Sequence, residues 1–282
     1  MVDGGHIEIP AAAEGFGAEQ VGDEWRFRVE VEAVERGAEG DFLAAGDGGR
    51  EPAVEGVPVL GMLRIESQIK QRRSATASEI IYQVIRPKAR AGEGVLLRQT
   101  AGQAASGLCF TPPDTVRALT ASPLKEPLFG SDLTFADVLE NFFTWQHQAL
   151  VGTAVVDRVS CQILKSKPGS GQHSTYASVH TWVDLRRMVP LRIDKFLASG
   201  ALARRIATTR VAADDLQHKI PAELTISGAH AESATELKGS RINHGVSYAN
   251  ATFTAEGLKD PSRCPLRARS IRSPACSSSA HA

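Results

Sequence analysis

From Glu24 to Ala33 the chain reads EWRFRVEVEA, and this stretch decides the fold class. Trp25, Phe27, Val29, Val31 and Ala33 fall on one side of an extended backbone, and Glu24, Arg26, Arg28, Glu30 and Glu32 fall on the other. A period of two with one dry side and one wet side specifies an antiparallel strand solvated on one face. Val34 places an apolar residue on the polar side and ends the pattern before Glu35, Arg36 and Gly37. Leu63, Ile65 and Ile69 alternate with Arg64, Glu66 and Lys70 in the same way. EIIYQVIRP, from Glu79 to Pro87, is rich in β-branched and aromatic residues and stops at its proline. The turn-like KARAGE leads from it into GVLLRQT, a hairpin or meander partner.

The second half repeats the theme. VVDRVSCQILKSKP, TYASVHTWVD, VPLRIDKFLASG and ALARRIATTRVA are strand-sized and separated by turn-forming residues, and IPAELTIS and ATELKGSRINHGVSY follow. The sum is about ten strands without the strand–helix rhythm of a parallel sheet, so a long antiparallel meander is predicted. DTVRALT, after Pro112 and Pro113, reads as a short helical turn. SDLTFADVLENFFTW reads as a helix. Thr134 and Asp137 form an acidic capping box at its start, and Phe135, Val138, Leu139, Phe142 and Phe143 recur at helical spacing to make one apolar face.

Composition narrows the function classes. Among 282 residues, 32 Lys plus Arg balance 32 Asp plus Glu, which removes the basic excess that nucleic-acid binding requires. No run approaches the roughly 18 apolar residues of a spanning helix, so any membrane contact is expected to be peripheral. No catalytic set emerges. Ser170 in PGSGQ lacks the spacing of a nucleophile elbow, and the glycines of AAGDGGREP lack the frame of a phosphate loop. Asp214 and Asp215 read as a solvated turn. The eight histidines show no metal-ligand spacing, so neither a metal nor a cofactor is expected. Cys109 and Cys161 could bond if their Cα atoms lie within about 7 Å, or could be free thiols packed as small hydrophobes.

Residues 1–20 carry neither the basic nor the apolar region of a secretory signal and read as a flexible segment. Residues 259–282 hold Arg263, Arg267, Arg269 and Arg272 among prolines and serines and read as a disordered basic tail. Residues 21–258 remain as a single domain.

The order of its segments resembles the outer-membrane lipoprotein-sorting protein family. The similar elements are the helix start at Gly130 to Asp132 with Asp137, the Lys167–Pro168 turn, the strand end at Trp182 to Asp184, and Val189 to Leu191 in the next strand. The resemblance covers roughly residues 60–258. It implies a mainly β protein with helices (α+β), built as a half-open, strongly curved antiparallel β-barrel with a helical lid on the concave face. It also implies a non-enzymatic periplasmic carrier of lipoprotein acyl chains or lipid, with an inner-membrane release complex or an outer-membrane receptor as partners. Since residues 1–20 show no export signal, a cytoplasmic location follows if that absence is real. In this reading Trp25, Phe27, Val29, Val31, Leu63 and Ile65 line the cavity, and Phe135, Leu139, Phe142 and Phe143 form the lid. A buried methylene contributes about 0.8 kcal/mol, so a chain of about sixteen carbons needs dry surface worth on the order of 10 kcal/mol to cross water. A sensor or scaffold using the same half-barrel is the alternative.

Overall fold

In the computed structural model, residues 21–33, 63–74, 76–100, 102–120, 123–228 and 233–259 are described, with side chains from Arg64 onward except at positions 233, 240 and 241. The opening alternation forms β1 (Val21–Ala33), paired with β2 (Leu63–Arg73) on one side. From there the chain steps outward through β3 (Ala77–Arg86), β4 (Gly94–Thr100), β5 (Ser106–Thr111) and β6 (Thr115–Leu119). It then passes through α1 (Phe135–Leu139) and a 3-10 turn at Phe142–Thr144 to β7 (His147–Val156) at the opposite edge. β8 (Val159–Lys167), β9 (Ser178–Asp184), β10 (Val189–Phe196), β11 (Leu202–Ala213), β12 (Lys219–Gly228) and β13 (Ser233–Ser247) step back inward. β13 closes the circuit by pairing with β1. A 3-10 turn at Asn250–Phe253 and α2 (Ala255–Lys259) follow.

The result is one 13-stranded antiparallel sheet whose outermost strands are β6 and β7. This order constrains the connection at residues 120–146. Thirteen strands spaced by about 4.8 Å give a sheet on the order of 60 Å from edge to edge along its surface. A chain that leaves one edge and re-enters at the other must therefore cross a whole face. The register identifies that face: Ile69, Tyr82 and Val95 lie abreast, as do Thr181, Ile193, Ile206 and Ile226.

Several expectations change. Among the described residues the sheet has thirteen strands rather than about ten. DTVRALT is not a helical turn, since Thr115–Leu119 pairs with β5 as the edge strand β6. VVDRVSCQILKSKP is not one strand, because Asp157 and Arg158 both take positive φ, 45° and 66°, and form a two-residue turn between Val156 and Val159. That conformation defines a type I′ hairpin, whose usual signature of Asn-Gly or Asp-Gly is lacking here. The predicted long helix is only the five residues Phe135–Leu139, because Glu140 turns extended at ψ 118° and the chain resumes as a separate 3-10 turn.

Nor is the sheet dry on one side only. Ile80 and Tyr82 pack under α1, whereas Ile81, Leu96 and Phe110 pack on the other face against Phe253 and Leu258. β3 is therefore buried on both faces, which explains why its apolar residues run continuously instead of alternating. At Gly94 a Cβ would stand 2.7 Å from the Leu258 side chain, so any larger residue there would push that leucine aside. Cys109 and Cys161 are free thiols.

The Asp157–Arg158 turn yields a stability prediction. A left-handed residue with a side chain costs about 1–2 kcal/mol relative to one without. Arg158→Gly should stabilise the chain by about 1 kcal/mol in thermal unfolding followed by circular dichroism.

Candidate functional site

The crossing segment is fastened to the sheet at several places. Before α1, the Asp132 amide donates to Thr235 Oγ1 at 2.8 Å, and that hydroxyl donates to Asp132 Oδ2 at 2.7 Å, tying the loop to β13. The capping box then forms as the sequence predicts. The Asp137 amide donates to Thr134 Oγ1 at 3.1 Å, and the Thr134 amide donates to Asp137 Oδ2 at 2.9 Å. One edge of the segment is apolar: Phe135 and Leu139 pack with Ile69, Ile80, Tyr82, Val95, Leu97 and Leu119. Farther on, Phe142 and Trp145 pack with Tyr176 and Val179.

Between these apolar contacts lies a buried charge cluster. Asp137 accepts from Lys195 Nζ and from the Tyr176 hydroxyl, each at 2.7 Å. Arg204 Nε stands 3.0 Å from Asp137 Oδ2, close enough to pair electrostatically but misaligned for a hydrogen bond. The side chains of Asp137 and Lys195 are 0% and 1% exposed. Lys195 and Arg204 sit directly opposite each other in the β10–β11 ladder, an unfavourable juxtaposition of like charges that the Asp137 carboxylate compensates. The Lys195 ammonium also stands 4.9 Å from the Tyr176 ring centre and 5.8 Å from that of Phe142. Burial would raise the Asp137 pKa, but the charges of Lys195 and Arg204, with hydrogen bonds from Lys195 and Thr134, outweigh it and hold the carboxyl below its usual range. Burial first, and then the Asp137 charge, push the Tyr176 hydroxyl up, so it stays a neutral donor.

Positions 25, 27, 29 and 31 pair in register with 69, 67, 65 and 63, although the side chains of β1 and of Leu63 lie outside the described residues. Ile65 is buried beside Val84. Phe135, Leu139 and Phe142 are 4%, 3% and 7% exposed, and Phe143 stacks on Phe142 while remaining 45% exposed. A cavity of about 430 Å³ lies elsewhere, between β4–β6 and the loop before α1. Arg90, Glu93, Arg117, Glu126, Cys109 and Phe129 are among its walls, and the arginines are neutralised by Glu93 and Glu126 at 2.6 and 2.7 Å. Of the predicted residues with described side chains, Phe135 alone borders it. Ile65, Leu139 and Phe142 are instead packed against their neighbours.

The sequence reading assigned no role to Lys195, Arg204 or Tyr176. A signal was present: Lys195 shares strand parity with Leu191 and Ile193, and Arg204 with Leu202 and Ile206. A cation on the apolar parity of a strand calls for a buried partner.

A family described only as uncharacterized protein matches the chain over residues 77–260. No curated protein matches it. Among solved structures, a DUF1329 family protein from Desulfovibrio piger superposes with a TM-score of 0.70 at 16% identity, covering 86% of this chain and 92% of that one. A putative outer membrane lipoprotein-sorting protein domain from Vibrio parahaemolyticus gives a TM-score of 0.68 at 12% identity, with 85% and 92% covered. A LolA superfamily protein from Nitrosomonas europaea gives 0.60 at 15% identity, with 86% and 93% covered. At these identities the likeness establishes a shared fold: mainly β, antiparallel, with few helices.

Removing the Asp137 charge strands Lys195 in the interior, so Asp137→Asn should cost about 3–5 kcal/mol in denaturant unfolding. A carboxyl whose pKa falls on folding contributes stability above its unfolded value of about 4 and loses it as pH drops through the lower folded value. Wild-type stability should therefore decline below about pH 4, and the Asp137→Asn profile should lack that share of the decline.

Proposed function

Because the chain belongs to the family of uncharacterized proteins matched over residues 77–260, and shares its fold with lipoprotein-sorting structures, we propose that it binds lipoprotein acyl chains or lipid between the sheet and the crossing segment. The observation that carries this reading is an aromatic segment laid across a whole face of an open sheet. A globular core does not need such a strap to be held by one short helix and a few polar ties. In this reading Leu139 and Phe142, packed on the sheet, hold the place that an acyl chain would take.

In this proposal the sheet is a strongly curved half-barrel formed by residues 21–258, and the segment 132–146 is its lid. Loading lifts the lid and exchanges its apolar contacts for those of the ligand, so the exchange is near balance and cargo can be released as well as captured. Trp25, Phe27, Val29, Val31, Leu63 and Ile65 would line the floor. The role is non-enzymatic transport through the periplasm toward the outer membrane, with a release complex or receptor as the protein partner.

Purified chain should take up a fluorescent sixteen-carbon fatty acid saturably, and lipid should accompany it in native mass spectrometry. The exposed-site variant Phe143→Ala should weaken uptake roughly tenfold, equivalent to about 1.4 kcal/mol, whereas Phe142→Ala, which removes lid–sheet and lid–ligand contacts alike, should change it less. Absence of uptake together with a stable protein partner would favour a sensing module instead.

A further inference from the structure

A second cluster lies away from the crossing segment, where the β11–β12 turn meets the end of β13. Asp214 Oδ2 stands 2.9 Å from His244 Nε2 and 3.4 Å from His218 Nδ1. His244 Nε2 stands 3.6 Å from Asp215 Oδ1. Ligand atoms of Asp214, Asp215 and His244 all fall within 4.8 Å of one another. We propose that these three residues form a site for a zinc-class divalent cation, and that His218, which reaches Asp214 but stands outside the converging group, swings in as the fourth ligand.

The spacing fits the chemistry. Nitrogen and oxygen ligands at about 2.0–2.2 Å from a tetrahedral centre lie about 3.3–3.5 Å apart, and the Asp214–His244, Asp214–His218 and Asp215–His244 separations bracket that range. Two imidazoles favour Zn²⁺ and its transition-metal neighbours over Mg²⁺ or Ca²⁺, which prefer all-oxygen sets.

The supporting shell is already in place. Asp214 Oδ1 accepts the backbone N–H groups of Leu216 and His218 at 2.9 and 2.8 Å, which leaves Oδ2 aimed at the two imidazoles. Asp215 Oδ2 accepts the His244 amide at 2.9 Å, so the turn and β13 are held together by groups adjoining the ligands. Such contacts fix ligand orientation at metal sites. The backbone also aims the ligands. In the β1–β13 ladder Gly22 pairs with Val246 and Glu24 with Asn243, so His244 and Gly245 together oppose position 23. Gly245 takes φ 68°, and Gln217 turns the hairpin at φ 66°. A bulge of this kind redirects a side chain out of the regular alternation.

Burial is graded as an entry path requires. The Asp214 side chain is 2% exposed, while that of His218 is 71% exposed and can close over an arriving ion. The sequence concealed the cluster because His244 is distant from the Asp-Asp turn and His218 follows Asp214 within a turn, not along a helix.

The test uses untagged full-length chain treated with EDTA and titrated with Zn²⁺ in a calorimeter. One ion should bind per chain and raise the melting temperature, and Ca²⁺ at equal concentration should not. Co²⁺ should bind with the intense visible absorption of a tetrahedral site. His244→Ala and the solvent-exposed variant His218→Ala should each weaken Zn²⁺ binding by roughly 10–100-fold and remove the Co²⁺ band. No saturable Zn²⁺ binding, or Zn²⁺ binding as tight in either histidine variant as in wild type, overturns the proposal. Neither result bears on acyl binding, because the two sites share no residue.

Discussion

The carboxylate of Asp137 is the constraint on which the arrangement depends. It caps α1 through Thr134 and neutralises Lys195 and Arg204, which face each other across neighbouring strands. Remove it, and two cations are left together on a buried face while the Thr134 amide at the helix start loses its acceptor. Coulombic attraction in a low-dielectric interior is strong, yet the desolvation cost of three charges is of similar size, so such a cluster contributes little net stability. What it provides is position. Only one placement of α1 satisfies Lys195, Arg204, Tyr176 and Thr134 at once, and that placement sets where Phe135, Leu139 and Phe142 meet the sheet.

Topology makes that placement matter. Because β6 and β7 are at opposite edges, the connection between them has to traverse the face. Apolar contact with β2–β6 anchors one part, the Asp132–Thr235 pair ties it to β13, and the Asp137 cluster ties it to β10 and β11. These polar ties are discrete, and their partners lie on strands of the sheet. In the proposed carrier cycle they release and re-form while the sheet holds its shape.

Much of the sheet was legible because a period of two marks a strand, as in EWRFRVEVEA, which forms β1, and in Leu63 to Ile69 of β2, although Lys70 on the polar parity is itself buried and donates to Gln83 Oε1. The pattern failed where both faces are covered: in β3 the run IIYQVI shows no alternation because Phe253 and Leu258, far along the chain, pack behind it. The Asp157–Arg158 turn was hidden because tertiary pairing of β7 with β8 imposes positive φ on residues without a turn signature. The helix was overestimated because Phe142 and Phe143 keep helical spacing even though the chain breaks at Glu140. The capping box was readable because all of its parts lie within four residues. Lys195, Arg204 and Tyr176 were not read as a site, since their meaning comes from a carboxylate on a different element.

Hydrogen–deuterium exchange on the intact chain tests the clasp directly. Asp137→Asn should accelerate exchange in residues 132–146 while the β2–β5 and β9–β11 ladders keep wild-type protection, and a saturating fatty acid should change the same segment selectively. Uniform acceleration across the sheet, or no change in that segment under either condition, would contradict the account.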